Sequence, residues 1–194
     1  TYLRETLNRK DVRTAYNVLH QYRQLAEAVL KAGWREEAIE LAEHFKYYGQ
    51  TANQIRLSFV TETAAYDLCR LCELAHAERF ADESHLLDIF LDVDKVPETE
   101  AEEASLRGVR KAQIKLATFY LVEGTEELAK RIFHDMEHER PERLLSIRKE
   151  MLSVKDKDFW EIIDRGHNFD YLEPKRRSEL ERFYAWFENM VVVD

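Results

Sequence analysis

Apolar side chains recur at helical spacing through most of the chain. In the first segment Ala15 and Leu19 lie four positions apart, and later apolar residues continue the same side. Such spacing is typical of amphipathic helices. Asp11 fits an N-cap, and Gly33 and Gly49 fit the ends of the first two segments. The pattern predicts four helices before residue 92, at about 11–31, 34–48, 57–80 and 83–91.

The rest of the chain predicts an acidic loop and further helices. Asp82 fits the cap of the fourth helix, and the segment 92–103 contains Pro97 and many acidic residues. This segment is either a mobile acidic loop or a charged linker. After a helical hairpin at 113–141, aromatic-rich segments form either a capping core or a peptide-binding groove. Three shorter helices are predicted there, at about 142–152, 156–165 and 174–190. We expect one all-α domain over residues 1–194, an irregular stack of about eight or nine helices.

The hairpin at 113–141 resembles one tetratricopeptide repeat. The matching positions are Leu116, Ala117, Tyr120, Gly124, Ala129, Phe133 and Pro141. An earlier segment repeats part of this spacing, from Leu25 through Gly33 to Ala38. Ala38 and Ala129 are 91 positions apart, which is not a multiple of the usual period of about 34 residues, so a regular array is excluded. The resemblance implies tetratricopeptide-like helical hairpins, a scaffold that by itself specifies no chemistry.

Composition and charge exclude several classes of protein. The hydrophobic share of 45% in 194 residues is enough to bury a core without disulfides or a structural metal. A formal net charge of −9 argues against a dedicated nucleic-acid surface, because phosphate binding needs a concentrated basic face. Cys69 and Cys72 have C-x2-C spacing, but they lie in a helical run, which favours core packing over redox chemistry. No cofactor is expected.

Four residues have spacings that helical metal sites use. His134 and His138 share one helical face, and Glu73 with His76 has the Glu-x-x-His spacing of di-iron bundles. A di-iron site needs a second such pair and two further inward glutamates, and Asp135 with His138 is an imperfect second pair. The region around 130–143 is dense in charge, which favours a solvated face. A metal-dependent helical enzyme or metal sensor therefore remains the alternative function.

Polar residues on the first three predicted helices form a second candidate site. The wider set is Arg13, Asn17, His20, Arg23, His44, Tyr47, Tyr48, Arg56, Glu62, Tyr66 and Asp67. These residues either line a cleft or form a hydrogen-bonded network that fixes the helix register. We expect any ligand or partner to bind where the three helices converge rather than on the acidic loop, because loop acids stay hydrated and screened. The residues chosen for this site are Arg13, Asn17, His44, Tyr48 and Glu62.

Four segments resemble the soluble portion of a family of bacterial predicted membrane proteins of unknown function. They are RTAYNVLHQYRQLAE (13–27), HFKYYGQ (44–50), FVTETAAYDLC (59–69) and FWEIIDRGHNFDYL (159–172). The resemblance implies a cytoplasmic helical domain that follows membrane spans, and the basic cluster at 4–13 suits the cytoplasmic side of a bilayer. No run approaches 18 apolar residues. The chain begins at Thr1, which suggests either a domain of a longer protein or a processed chain.

These observations favour a binding protein over an enzyme. We expect a non-catalytic helical interaction or regulatory module of a larger bacterial membrane protein. Its partner is expected to be a protein or peptide and not a nucleic acid, and its contact with the membrane would come through segments outside this chain. The sequence leaves the oligomeric state and the identity of the partner open.

Overall fold

The helical prediction is confirmed at the level of fold class. The computed structural model describes residues 5, 9, 12–54, 58–93, 95, 103–123, 125–136, 139, 142, 143, 147, 174 and 178. Within them the chain is all-α, with six helices and no strand. Helices α1 to α6 span Val12–Lys31, Arg35–Gln54, Ser58–Ala77, Glu83–Leu91, Glu103–Glu123 and Glu126–Met136. This count is lower than the expected eight or nine, and the three helices predicted after residue 141 lie largely outside the described residues.

The chain divides into two compact units, Thr1–Leu116 and Ala117–Asp194. In the first unit, α1, α2 and α3 pack against one another, and α4 packs on α2 and α3. Many of the buried positions are alanines, which let helix backbones approach closely, while Leu19, Phe45 and Leu68 fill the space between them. In the second unit, Tyr120 and Ala129 are fully buried.

Two helices end in the same left-handed turn, although only one of them ends at a glycine. At Gly33 the φ angle is 76°, and the amides of Gly33 and Trp34 donate to the carbonyls of Leu30 and Val29. This pairing is a Schellman motif. Arg79 forms the same turn after α3 with a φ of 53°. The predicted third helix was too long at its end, because α3 stops at Ala77 and not near residue 80.

Gly49 does not end α2, which corrects the predicted end at residue 48. The helix continues to Gln54, and Gly49 is buried in its interior. A Cβ at this position would lie 2.8 Å from Cγ2 of Val93 and 3.3 Å from Cβ of Ala64. The Thr61 hydroxyl also donates to the Gly49 carbonyl at 3.3 Å. The glycine therefore serves close packing between helices rather than helix termination.

Asp82 occupies the N-cap position of α4, but its side chain makes no capping hydrogen bond. Instead it accepts a hydrogen bond from Nη2 of Arg35 at 2.7 Å and a second from the Arg35 Nε. The helix itself has the predicted bounds. At its other end, the Gln50 amide donates to the carbonyl of Asp92 at 2.7 Å. Most of the predicted acidic loop lies outside the described residues. None of the described helices combines the length and apolar content needed to span a bilayer.

Candidate functional site

A cleft of about 300 Å³ opens between α1 and α3. The side chains that line it are Tyr16, His20 and Arg23 of α1 and Phe59, Glu62, Thr63, Tyr66 and Asp67 of α3. On each helix these positions recur three or four residues apart, so each helix contributes a single stripe. Two facing stripes of this kind give a walled groove in which aromatic, acidic and basic groups lie together.

Aromatic rings form the exposed part of this cleft. Tyr16 is 44% exposed and Phe59 is 53% exposed, and both are among the most exposed large hydrophobic side chains of the described residues. Their ring centroids are 5.7 Å apart with the planes tilted by 35°. The Tyr16 ring also stacks on the His20 imidazole, at a centroid distance of 6.5 Å. The exposed rings leave π-faces available to a ligand, because a large apolar surface left in water is a common sign of a binding site.

The buried part of the cleft contains a carboxylate and a guanidinium. Asp67 is only 4% exposed, and its Oδ1 lies 3.6 Å from Nη1 of Arg23. Its Oδ2 is buried and has no hydrogen-bond partner among the described residues. Burial raises the pKa of Asp67 to about 7, against an opposing effect of the Arg23 charge. Glu27 raises the pKa further, and Arg70 lowers it.

The Arg23 guanidinium lies among acceptors of the protein, although its buried Nε has no hydrogen-bond partner among the described residues. Besides Asp67, it donates from Nη2 to Nδ1 of His20 at 3.2 Å, and its Nε lies 3.8 Å from Oε1 of Glu27. Glu27 also accepts a hydrogen bond from Nε of Arg70 at 2.9 Å. Because a guanidinium can only donate, His20 accepts at Nδ1, and its Nε2 lies 3.3 Å from Nε2 of Gln24. Arg23 therefore positions the cleft's polar groups.

Glu62 forms the acidic wall of the cleft. Its side-chain carbons lie against Gly108 of α5, where a Cβ would be only 2.8 Å from the Glu62 Cβ. The absence of a side chain at Gly108 thus lets Glu62 pack between the helices. The Glu62 carboxylate has no hydrogen bond or ion pair with any described residue. Nearby, Lys115 places its ammonium 5.7 Å from the centroid of the Tyr66 ring.

The five residues chosen from the sequence are distributed over different surfaces. Glu62 lines the cleft. His44 and Tyr48 line a narrow crevice between α1 and α2, which leaves no space for a water molecule. Arg13 and Asn17 are exposed on α1 and line neither cavity. The structure therefore does not bring the five together in one cavity, and their role in binding stays a prediction.

The wider polar set contributes more residues to the lining of the cleft than the five chosen residues do. Its members in the lining are His20, Arg23, Glu62, Tyr66 and Asp67. Tyr47 is exposed, and Arg56 lies outside the described residues. Sequence reasoning missed Tyr16 and Phe59, the two aromatic residues at the mouth. Tyr16 lies four residues before His20, and Phe59 lies three before Glu62. This spacing, which places each pair on one helical face, was the signal available in the sequence.

Tyr48 and His44 contribute to packing rather than to an open site. The two rings meet edge to face at a centroid distance of 6.3 Å, and Tyr48 also contacts Tyr47 at 5.6 Å. Burial is the largest cause of the raised pKa of Tyr48, followed by the neighbouring phenols of Tyr22 and Tyr47. The phenol therefore stays neutral at physiological pH, and the crevice has little to offer a polar ligand.

No group of three or more metal-binding side chains occurs among the described residues. His76 is engaged by Glu83, with 2.6 Å between Nδ1 and Oε1. Glu73 accepts a hydrogen bond from the Cys69 thiol at 3.6 Å. His134 is exposed on α6 in the second unit, and His138 lies outside the described residues. The alternative metal site is therefore not assembled by the part of the chain that is described.

The two cysteines are buried free thiols, as the sequence predicted for core packing. Cys69 is 1% exposed and Cys72 is 0% exposed. Burial raises the pKa of the Cys69 thiol, and the charge of Glu73 raises it further. A buried thiol that stays protonated is a poor nucleophile and a poor metal ligand. These cysteines act as small apolar side chains between the helices.

Comparison of the chain with protein-family models, with curated proteins and with solved structures finds no match. The described residues form an all-α fold with a small cleft that combines aromatic rings, two carboxyl groups and one arginine.

Proposed function

We propose that this chain is a non-catalytic interaction or regulatory module that binds its partner in the cleft between α1 and α3. The observation that carries the proposal is the lining of the cleft, in which two exposed aromatic rings lie with the half-buried carboxylate of Glu62. A ligand that donates a hydrogen bond to this carboxylate would gain a charge-assisted contact. Covering the exposed rings would add apolar burial, which gives the cleft a physical reason to bind.

The cleft chemistry supports binding rather than catalysis. Among the described residues that line it there is no serine or cysteine, and the Thr63 hydroxyl donates to the Phe59 carbonyl at 2.8 Å. His20 accepts from Arg23, so its Nδ1 is not available to remove a proton from a neighbouring hydroxyl. Nucleophilic catalysis needs a nucleophile and a base within hydrogen-bond reach of each other. The lining offers acceptors and aromatic surfaces instead, which are the usual means of ligand recognition.

Two broader features of the proposal come from the sequence resemblances. The tetratricopeptide-like arrangement is supported by the α1–α2 turn at Gly33 and by the buried Tyr120 and Ala129 of the second hairpin. The resemblance to the soluble portion of bacterial membrane proteins supports a place at the cytoplasmic face of a membrane. Cell fractionation of the natural full-length protein tests the second feature. Recovery in the membrane fraction is expected, and exclusive recovery in the supernatant would contradict it.

The binding proposal is tested with small probes of different charge on the isotope-labelled chain. Amide and side-chain NMR shifts are recorded with an alkylammonium, a carboxylate and a neutral amide probe at equal concentrations. At least one class should shift the signals of Phe59 and Asp67 in a saturable way. If no class does so, or if all saturable shifts lie outside the cleft, the proposal fails.

A pair of aromatic variants serves as the control for this screen. Phe59→Ala removes an exposed ring at the mouth of the cleft, whereas Trp34→Ala removes a ring that is 59% exposed and lies outside its lining. Both changes remove a similar apolar surface, so their effects on solubility should be similar. Only the Phe59 variant should weaken probe binding.

A further inference from the structure

We propose that the cleft recognises an alkylammonium group, presented as the lysine side chain of a peptide partner. This inference rests on the proposed function and adds the chemical class of the ligand. It starts from the balance of donors and acceptors in the lining. The guanidinium of Arg23 faces His20, Glu27 and Asp67, and both its Nε and Oδ2 of Asp67 are buried without a hydrogen-bond partner among the described residues. The half-buried Glu62 carboxylate also has no partner among these residues, and it is the acceptor that a ligand can reach, so the ligand should be a donor.

The aromatic mouth favours a cationic donor over a neutral one. An ammonium over a tyrosine or phenylalanine ring is attracted by the negative face of the π-system. The protein already uses this contact once, since the Lys115 ammonium lies over the Tyr66 ring. Tyr16 and Phe59 contact each other, but their exposed surface at the mouth of the cleft is available to a second cation. Carboxylates behind aromatic rings are the usual arrangement for amine recognition.

The size of the cleft and the charge of the chain indicate the source of the ammonium. About 300 Å³ is at the lower end of ligand pockets, which suits one extended side chain better than a large cofactor. The chain has a net charge of −9, which attracts a basic peptide over a longer range than any single contact. A lysine side chain can lay its butyl stem along the exposed surface of the Tyr16 and Phe59 rings and bring its ammonium to Glu62, near the buried charge of Asp67.

Proton linkage at Asp67 predicts the direction in which the affinity for the ligand changes with pH. The titratable or charged groups around Asp67 are His20, Arg23, Glu27, Glu62 and Arg70. With the pKa of Asp67 near 7, the carboxyl is largely protonated at pH 6 and largely ionised at pH 8. A cation binds the ionised form better, so its affinity should rise by up to about tenfold over this range. An anionic ligand would show the opposite dependence.

The test titrates the chain with three peptides and two free probes, and follows NMR shifts and calorimetric heats. The peptides are a capped Gly-Gly-Lys-Gly-Gly, its ε-acetylated form and the matching glutamate peptide, and the free probes are n-butylammonium and glutarate. We expect the lysine peptide to bind at the cleft and acetylation to weaken binding at least tenfold. Tighter binding of the lysine peptide than of n-butylammonium supports a peptide partner, whereas equal binding overturns that source in favour of a free amine.

Variants of the wall and mouth show whether the named groups bind the ammonium. Glu62→Gln keeps the shape of the side chain and should weaken binding at least about fivefold, while Glu40→Gln on the exposed face of α2 should leave it unchanged. Phe59→Ala should weaken it about threefold. Asp67→Asn should abolish the rise in affinity between pH 6 and pH 8. Thermal unfolding of each variant shows that it is folded before its affinity is compared.

The outcomes separate this inference from the function on which it rests. If glutarate or the glutamate peptide binds at the cleft and the lysine peptide does not, the ammonium assignment is wrong and the binding role stands. A pH dependence that persists in Asp67→Asn overturns the role of Asp67. If none of these ligands shifts the cleft signals, both the ligand class and the site are wrong.

Discussion

At the scale of single residues, the Arg23–Asp67 pair couples folding to pH. Burial raises the pKa of Asp67 from 3.8 to about 7, although Arg23 opposes the shift. The folded state therefore binds more protons than the unfolded state between these two values. The resulting stability is fully present below the unfolded pKa and is lost as pH rises through the folded pKa. The chain should consequently be more stable at pH 5 than at pH 8, as far as this residue is concerned.

Asp67→Asn should remove this pH dependence. The amide has nearly the shape of the protonated carboxyl, so the variant should resemble the wild type most closely near pH 5. Between pH 5 and pH 8 the free energy of unfolding of the wild type should fall relative to the variant by roughly 1–3 kcal/mol. Urea unfolding at four pH values measures the difference, with Glu40→Gln as an exposed control. A constant difference across the range would show that the carboxyl does not titrate there.

The residue scale also shows why the site was only partly predictable. The wider polar set contained five of the eight lining residues, because polar groups on otherwise apolar helices are visible in a sequence. Asn17, one of the five chosen residues, does not line the cleft because of its direction on α1. On a helix with about 3.6 residues per turn, Asn17 points about 100° away from Tyr16. Tyr16 and Phe59 were missed because the spacing of an aromatic residue does not reveal that its ring is exposed.

At the scale of helices, α1 and α3 end in the same left-handed turn, but Arg79 occupies in the second turn the position that Gly33 occupies in the first. Arg79 has a φ of 53°, a region that strains residues with a Cβ. Arg79→Gly should raise the free energy of unfolding by about 0.5–1 kcal/mol, as measured by urea denaturation. Arg79→Ala keeps the Cβ and should give no such gain. A gain of equal size in both variants would assign the effect to the lost charge instead.

Gly33→Ala is the reverse of Arg79→Gly, because it adds a Cβ at the equivalent position of the first turn. Gly33 has a φ of 76°, and a Cβ there would meet nothing within 4 Å. Any loss of stability therefore reports backbone strain alone. We expect a loss of about 1 kcal/mol.

Gly49→Ala tests the correction made to α2. An exposed helical glycine would gain up to about 1 kcal/mol on this change. Here the new Cβ would lie 2.8 Å from Cγ2 of Val93 and 3.3 Å from Cβ of Ala64, and such overpacking costs about 1–3 kcal/mol. The variant should be less stable than the wild type in urea denaturation. Adding Val93→Ala should reduce the cost of Gly49→Ala, and a stabilised single variant would contradict the packing contact.

The helix bounds show how far glycines and capping residues in a sequence predict where a helix begins and ends. Gly33 was correctly assigned as a stop, and α4 has its predicted bounds because a cap position precedes a short apolar run. Gly49 was wrongly assigned as a helix end because the sequence alone does not distinguish a glycine required for close packing from a glycine that ends a helix. The end of α3 was missed because an arginine adopts the left-handed turn. For Gly49 the deciding contact is tertiary, with Val93 and Ala64, whereas for Arg79 it is a local backbone conformation.

At the scale of the whole molecule, apolar periodicity was sufficient to predict an all-α fold. It could not predict which helices pack together, because this depends on where small residues such as Ala64 and Ala75 meet a partner helix. It also could not predict the cleft, which is a property of two facing stripes and not of either one. The helix count and the repeat-like arrangement remain predictions for the residues beyond those described.

Folding should not depend on a metal ion. The apolar core of the first unit is built from side chains alone, with Leu19, Phe45 and Leu68 almost completely buried. Circular dichroism before and after treatment with EDTA should show the same helix content. A large loss of helix on chelation would favour the metal site suggested by His134 and His138.

The central claim is that the cleft between α1 and α3 binds a cationic side chain. The most direct measurement is an intermolecular nuclear Overhauser experiment between the capped lysine peptide and the isotope-labelled chain at pH 8. Contacts are predicted between the ε-methylene protons of the peptide lysine and the ring protons of Tyr16 and Phe59. Contacts only with rings outside the cleft, such as those of Trp34 or Tyr47, would contradict the account.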